Sequence, residues 1–265
     1  MPFLRQKHTK SYDLTLYSCL LNPQQFDLVF YGIIVTSYRR VLKMKNIVIT
    51  GGSDGLGKTL AESLSKDNKV TILATNESKL REVASETNCG YYVCDVTDYA
   101  SVKATIEKIG KIDVLINCAG LWIQEELDTN DVNRIEAVVK VNLLGVMNCS
   151  KAVIPEMKKN GNGLIININS QAGINHKAER VVYNATKWGV TGFTKSLQDE
   201  LAKYGIRVTD IMPGMMKTDM FKKLNIEKNM ANGVDTKEVA RLIRFIIDTP
   251  VDVMIPEVGI KNINN

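Results

Sequence analysis

From residue 44 to near its end, the chain alternates short runs of apolar, β-branched residues with stretches of helical periodicity. Residues 46–50 (NIVIT), 70–74 (VTILA), 91–94, 112–117 (IDVLIN), 164–169 (LIININ), 207–212 and 251–255 read as strands. Between them, 57–66, 77–87, 99–109, 132–159, 180–204 and 236–248 read as helices. Leu60, Ala61 and Leu64 share one face of the first helix. Pro155 is expected to kink or end the fourth, because proline has no N–H for the helical ladder. Continuously apolar strands are buried on both faces, so the sheet is parallel and covered by helices on each side. Right-handed crossovers then make this an α/β fold: one doubly wound parallel sheet in a single domain, 44–265.

Composition adds exclusions. Of 265 residues, 45% are hydrophobic and 24% charged, the balance of a globular chain rather than a disordered one. No uninterrupted apolar run approaches the ~18 residues of a membrane span, so no integral membrane segment is expected. The net charge of +5 is uneven: six basic and two acidic groups fall in 1–43, leaving a net of +1 for the rest. The main domain therefore has no basic surface suggesting nucleic acid. Residues 1–43 hold four of the nine tyrosines and three of the six phenylalanines but only Gly32 of 18 glycines. They read as an atypical N-terminal extension, disordered or translated from upstream of a start at Met44; a peripheral membrane or docking arm is the other reading. Cys19, Cys89, Cys94, Cys118 and Cys149 form no C-x-x-C pair, and the histidines are His8 and His176. No metal site is expected, and the cysteines read as reduced thiols of a cytoplasmic protein.

The first strand runs straight into Thr50-Gly51-Gly52-Ser53-Asp54-Gly55-Leu56-Gly57 and then a helix. Glycines permit positive φ and close backbone approach, and the free N–H groups of a helix start attract a pyrophosphate. A glycine-rich turn alone is weak; at the first strand of a β-α-β unit it points to a dinucleotide and a Rossmann-like sheet.

The chain from Met44 to about Ile260 resembles the short-chain dehydrogenase/reductase family. The resemblance is carried in order by TGGSDGLG (50–57), CDVTD (94–98), NCAG (117–120), VNLLG (141–145), NSQAG (169–173), YNATK (183–187) and PGMMKT (213–218). Tyr183 and Lys187 are four apart and share a helix face. Alone, such a pair suits any exposed amphipathic helix. Ser170, thirteen residues upstream at the end of a buried strand, turns it into a candidate acid/base site. A phenol is a poor acid/base at neutral pH unless a nearby cation lowers its pKa. Lys187 is expected to do this for Tyr183, and Ser170 to bind the reacting oxygen. The resemblance implies that Asn142 completes the set by holding a water that relays protons through Lys187, and that Lys187 contacts the nicotinamide ribose.

The resemblance further implies a cofactor site made of Gly51, Ser53, Asp54, Gly55, Leu56, Gly57, Thr75, Asn76, Asp95, Val96, Asn117, Ala119, Gly120, Tyr183, Lys187, Pro213, Gly214 and Thr218. Asp95 would bind the adenine amino group, Asn117 would support the sheet and the adenosine side, and Pro213, Gly214 and Thr218 would cover the carboxamide. The second strand ends Leu73-Ala74-Thr75-Asn76, with no acid to repel a 2′-phosphate. NADP(H) is therefore favoured over NAD(H), although Asp54 stands where a basic residue often helps. The implied activity is hydride transfer between NAD(P)(H) and a small carbonyl or alcohol substrate, with 3-oxoacyl reduction as one form. A homodimer or homotetramer through the long helices is implied as well. The alternatives are a catalytically silent NAD(P)-binding sensor or scaffold, and a reductase attached to membranes by 1–43. The segments 174–182 and 219–233 are expected to line or cover the substrate pocket, with Lys217, Lys222, Lys223 and Lys228 making the second basic. His176 reads as an exposed loop residue.

Overall fold

The structure, a computed structural model, describes residues 44–222, 226–227 and 229–264; the reading of 1–43 and the basic residues Lys223 and Lys228 lie outside them. Among the described residues seven parallel strands form one sheet: β1 (Asn46–Thr50), β2 (Lys69–Ala74), β3 (Gly90–Val93), β4 (Val114–Asn117), β5 (Gly163–Ile168), β6 (Ile206–Pro213) and β7 (Glu257–Ile260). Their order is β3-β2-β1-β4-β5-β6-β7. The order reverses between β1 and β4, which opens a crevice beyond the carboxyl ends of the strands.

Side-chain alternation assigns the two faces. Ile47, Ile49, Ile116 and Ile166 point to one side and meet Leu60 and Leu64 of α1 (Gly55–Leu64), Leu80 of α2 (Glu77–Thr87) and Ile243 and Ile246 of α7 (Thr236–Asp248). Val48, Leu115, Ile165 and Val208 point to the other. There they meet Val102 of α3 (Tyr99–Ile109), Val153 and Met157 of α5 (Gly145–Asn160) and Leu197 and Leu201 of α6 (Val181–Ala202). A third cluster of Trp122, Ile123, Val138, Val182, Tyr183 and Phe221 is separate from both.

Two expectations need correction. The last strand is not 251–255. Val251 is 62% and Val253 46% exposed, and the Arg207 guanidinium instead gathers the carbonyls of Thr249, Pro250 and Val253. β7 follows at the sheet edge, pairing Val258 with Ile211; an edge strand has no need of a continuous apolar run. Pro155 does not end its helix either, which continues to Asn160 and stops at Gly161 in the left-handed region (φ 62°). The irregularity lies earlier, where α4 (Val132–Val139) passes through a π-turn at Lys140–Leu144 into α5. The span Val132–Asn160 is, among the described residues, long and apolar enough for a bilayer by composition. Val138, Val146, Cys149, Val153 and Met157 account for that hydropathy by being buried in the domain.

Candidate active site

The crevice is a cavity of about 1050 Å³ that reaches from Thr75, Asn76 and Asp95 at one end to Ser170, Tyr183 and Lys187 at the other. The glycine loop forms its floor. Gly51 (φ 67°) and Gly55 (φ 51°) occupy backbone conformations that side chains resist. A Cβ on Gly51 would lie 2.8 Å from the Ala119 Cα, and one on Gly57 would strike the Gly51 carbonyl. The loop is tied to the exit of β4 by Thr50, whose Oγ1 accepts the N–H groups of Cys118 (3.0 Å) and Ala119 (3.1 Å). Asp54 caps α1 by accepting from the Gly55 N–H (2.7 Å), and its other oxygen pairs with the Lys79 ammonium at 3.0 Å. The acid that weighed against a phosphate therefore faces a cation.

At the adenosine end, Asn76 caps α2 by accepting from the Lys79 N–H, and the corner carries no carboxylate from β2. Asp95 holds its loop by accepting from the Thr97 N–H and hydroxyl. The Val96 carbonyl accepts from Asn148, and the Val96 side chain packs where a Cβ on Gly145 would lie 2.7 Å away. Pro213, Gly214 and Thr218 line the wall; the Gly214 N–H is held by the Ile260 carbonyl of β7. Ser53, Leu56 and Gly120 line it too.

Asn117 and Asn142 are not in the wall. Asn117 is buried behind it and donates to Asn167 (2.8 Å) and Ser150 (3.1 Å), which ties β4 to β5 and α5. It serves the sheet, not a cofactor surface. Asn142, at 1% exposure, sits in the π-turn with both ends of its amide committed to the Leu121 backbone: Oδ1 accepts the N–H at 2.7 Å and Nδ2 donates to the carbonyl at 2.9 Å. The side chain is thus not free to hold the implied relay water, and a part in such a relay is left to its main chain. Asn142 positions the turn that carries Gly120 and Trp122. Asn142→Ala strips both Leu121 groups of their partners and is expected to cost about 1–3 kcal/mol in urea denaturation; a loss below about 0.5 kcal/mol would show that the contact adds little.

Ser170 follows β5 and accepts the Ala172 N–H at 3.1 Å, capping the short 3₁₀ turn Gln171–Gly173. Ser170 shares the cavity wall with Tyr183, and its hydroxyl favours the ionised form of that phenol. Tyr183 is 8% exposed, and its ring lies 4.4 Å from that of Trp122. Burial pushes its phenol up to about 12; the Ser170 hydroxyl and the Arg180 charge pull the other way. This corrects the expectation of a phenol lowered by Lys187. In the chain by itself burial prevails, and the cation that acts on the hydroxyl is Arg180. Lys187 donates to the Ile168 carbonyl at 3.0 Å, with its ammonium 5.8 Å from the Tyr183 ring centre. Its pKa falls to about 8 through burial, against the charges of Asp210 and Cys118.

Sequence reading missed what stands behind Lys187. Asp210, on β6, is 1% exposed and accepts from Asn169 Nδ2 at 2.9 Å; the same amide donates to Thr191 Oγ1 at 2.8 Å. Asp210 Oδ1 is buried with no hydrogen-bond partner. Burial lifts this carboxyl to about 6, although Asn169 and Lys187 favour its charge. An acid inside a fully buried strand (IRVTDIMP) was the available signal. Trp122 was also missed, whereas Arg180 and Phe221 belong to the segments 174–182 and 219–233 expected at the pocket and do line it. His176 is exposed and outside the wall, as expected.

Residues 45–229 match the family model described as short chain dehydrogenase. An uncharacterized oxidoreductase of Staphylococcus saprophyticus is 34% identical over 231 residues, 83% of this chain and 98% of that protein. A 3-oxoacyl-[acyl-carrier-protein] reductase of a Synechocystis species is 34% identical over 219 residues, 77% of this chain and 89% of its own. Among solved structures, a closed form of serine dehydrogenase complexed with NADP+ superimposes with a TM-score of 0.79 at 27% identity, covering 83% of this chain and 96% of that one.

Proposed function

The chain belongs to the short-chain dehydrogenase family, and from that premise we propose that it transfers hydride between NADP(H) and a small carbonyl or alcohol substrate. The observation that carries this reading is that Ser170 and Tyr183 stand in the wall of the same crevice whose floor is the glycine loop. The residues present fit a dinucleotide. Without Cβ atoms, Gly51 packs on the Ala119 backbone and Gly57 on the Gly51 carbonyl, which closes the loop tightly beneath the crevice, and the N-terminus of α1 presents backbone N–H groups to a pyrophosphate. Thr75, Asn76, Asp95 and Val96 suit the adenosine half; Ala119, Gly120, Pro213, Gly214, Thr218 and Lys187 suit the nicotinamide half. When bound, the nicotinamide donates or accepts the hydride at the reacting carbon.

The chain supplies the proton and the geometry. Ser170 and Tyr183 hold the substrate oxygen between their hydroxyls. In reduction, Tyr183 passes its proton to that oxygen as the carbon gains hydride; in oxidation the proton returns. The Arg180 charge favours the negative charge on the Tyr183 oxygen as it forms, while Lys187, anchored on the Ile168 carbonyl, stands at the nicotinamide side. With the phenol held high by burial, the protonated form dominates at neutral pH, which favours carbonyl reduction there. The exposed Val139, Leu144 and Trp188 on the two long helices supply apolar surface for the homodimer or homotetramer. The free cysteines among the described residues support a reducing compartment.

The preference for NADP(H) rests on the carboxylate-free end of β2 and on Lys79 at the same corner. Fluorescence titration is expected to show NADPH bound about tenfold more tightly than NADH, a difference of about 1.4 kcal/mol. Lys79→Ala should narrow that gap. Equal affinities in the parent would remove the 2′-phosphate assignment, and binding of neither nucleotide would remove the functional reading.

A further inference from the structure

Arg180 immediately precedes α6 and stands three residues before Tyr183. Its guanidinium carbon lies 5.1 Å from the Trp122 ring centre, within cation–π range, and the Trp122 ring in turn packs on Tyr183. Arg134 donates to the Trp122 carbonyl at 3.1 Å, which steadies the same platform. The residue before Arg180 is also constrained: Glu179 has φ 62°, and its carbonyl accepts the Glu125 N–H.

Arg180 lines the cavity, with Lys177 on the same wall. Among the described residues no carboxylate lies within ion-pair distance of either. The nearest in sequence, Glu179, accepts from Gln124 instead. Asp54 and Asp95 belong to the adenosine end, and Asp219 lies on the segment after Pro213 without an ion pair to Arg180. A guanidinium over an indole keeps N–H donors for an anion, and their fork matches the two oxygens of a carboxylate.

We propose that the substrate is a short hydroxy or oxo acid whose carboxylate is taken by Arg180, with Lys177 beside it, while its reacting oxygen lies between Ser170 and Tyr183. The inference rests on the hydride-transfer reading. One helical turn separates Arg180 from Tyr183, so acid and reacting carbon are only a few bonds apart. Trp122 and Phe221, with ring centres 5.1 Å apart, provide the apolar wall for the rest of the molecule. The charge chemistry selects among carbonyl compounds: a neutral ketone or ester of the same shape leaves the guanidinium without its anion.

The test compares 2-, 3- and 4-hydroxy acids with their methyl esters, oxidised by the full chain with NADP+. The parent is expected to prefer at least one acid over its ester by about 10- to 100-fold in kcat/KM. Arg180 also acts on the Tyr183 hydroxyl, so Arg180→Ala slows both series; the decisive readout is the acid-to-ester ratio, expected to collapse toward one through KM. Arg180→Lys should restore part of it, and Arg180→Gln less. A ratio near one in the parent, or one unchanged in Arg180→Ala, overturns the proposal; continuing ester turnover would leave the hydride-transfer reading standing. No turnover of either series while NADPH binds would remove that reading and the proposal with it.

Discussion

Tyr183→Phe is expected to lower kcat for carbonyl reduction by about 10²–10⁴-fold while NADPH still binds. The size of the effect follows from the proton that the hydroxyl alone can deliver. The ring itself remains, packed 4.4 Å from Trp122 within the cluster that includes Val182 and Phe221, so the variant should fold. Ser170 keeps its bond from the Ala172 N–H and stays in place as an oxyanion partner without a proton donor. The residual rate then reports on positioning by Ser170 and the nucleotide alone. The variant also separates an enzyme from a silent nucleotide sensor. If the parent and the phenylalanine form turn over at the same rate, Tyr183 has no part in the chemistry. A pH profile adds a second check: with the phenol near 12 in the nucleotide-free chain, alcohol oxidation should accelerate from pH 7 to 9 more than reduction does.

Asp210→Asn should change how stability depends on pH. The carboxyl is held at about 6 in the folded chain, against 3.8 ordinarily, chiefly because burial disfavours its charge. A group whose pKa is raised on folding contributes stability below its unfolded pKa and loses it as pH rises through the folded value. For Asp210 the loss falls between about pH 4 and pH 6, and linkage sets it on the order of 3 kcal/mol. Asparagine keeps the shape and carries no charge, so the variant lacks this slope. In urea denaturation the variant's stability relative to the parent should rise across that interval. Part of the gain is offset, because Lys187 loses an opposing charge that raises its pKa. Parallel pH curves for the two proteins would mean that Asp210 does not titrate in this interval. The same replacement should also move the alkaline limb of the kcat profile downward, since Lys187 would give up its proton more readily.

The parts of this site that depend on local spacing were readable along the chain. Six of the seven strands showed themselves as short apolar or aromatic runs; for β1, β2, β4, β5 and β6 burial on both faces requires them, whereas β3 is a largely exposed edge strand marked by its tyrosines and valine. The Gly51–Gly57 loop announced a phosphate site because close backbone approach needs residues without Cβ atoms, in one order, just after a strand. Ser170, Tyr183 and Lys187 were legible for the same reason: a strand end and one helical turn are enough to bring them together. Asn142 and Asn117 carried family motifs, yet neither motif says where an amide points. Only packing turned Asn142 onto Leu121 and Asn117 onto Asn167 and Ser150.

What tertiary structure alone decided lies between elements distant in sequence. β7 was hidden because it needs only one neighbour and half a buried face, and residues 251–255 outscored it on hydropathy although Val251, Val253 and Met254 lie exposed. Asp210 meets Asn169 only because β6 lies beside β5, and Thr191 joins them only because α6 crosses that end of the strand pair. Arg180 reaches Trp122 only because the exit of β4 and the start of α6 converge beyond the same edge of the sheet. Sequence by itself determined the fold class, the glycine loop after β1 and the grouping of Ser170, Tyr183 and Lys187 at one crevice, since each follows from residue types at short, regular spacing. The order of strands and the packing of helices on them decided which buried charge stands behind Lys187 and which cation lines the crevice beside Tyr183, because those contacts arise only once the sheet is assembled.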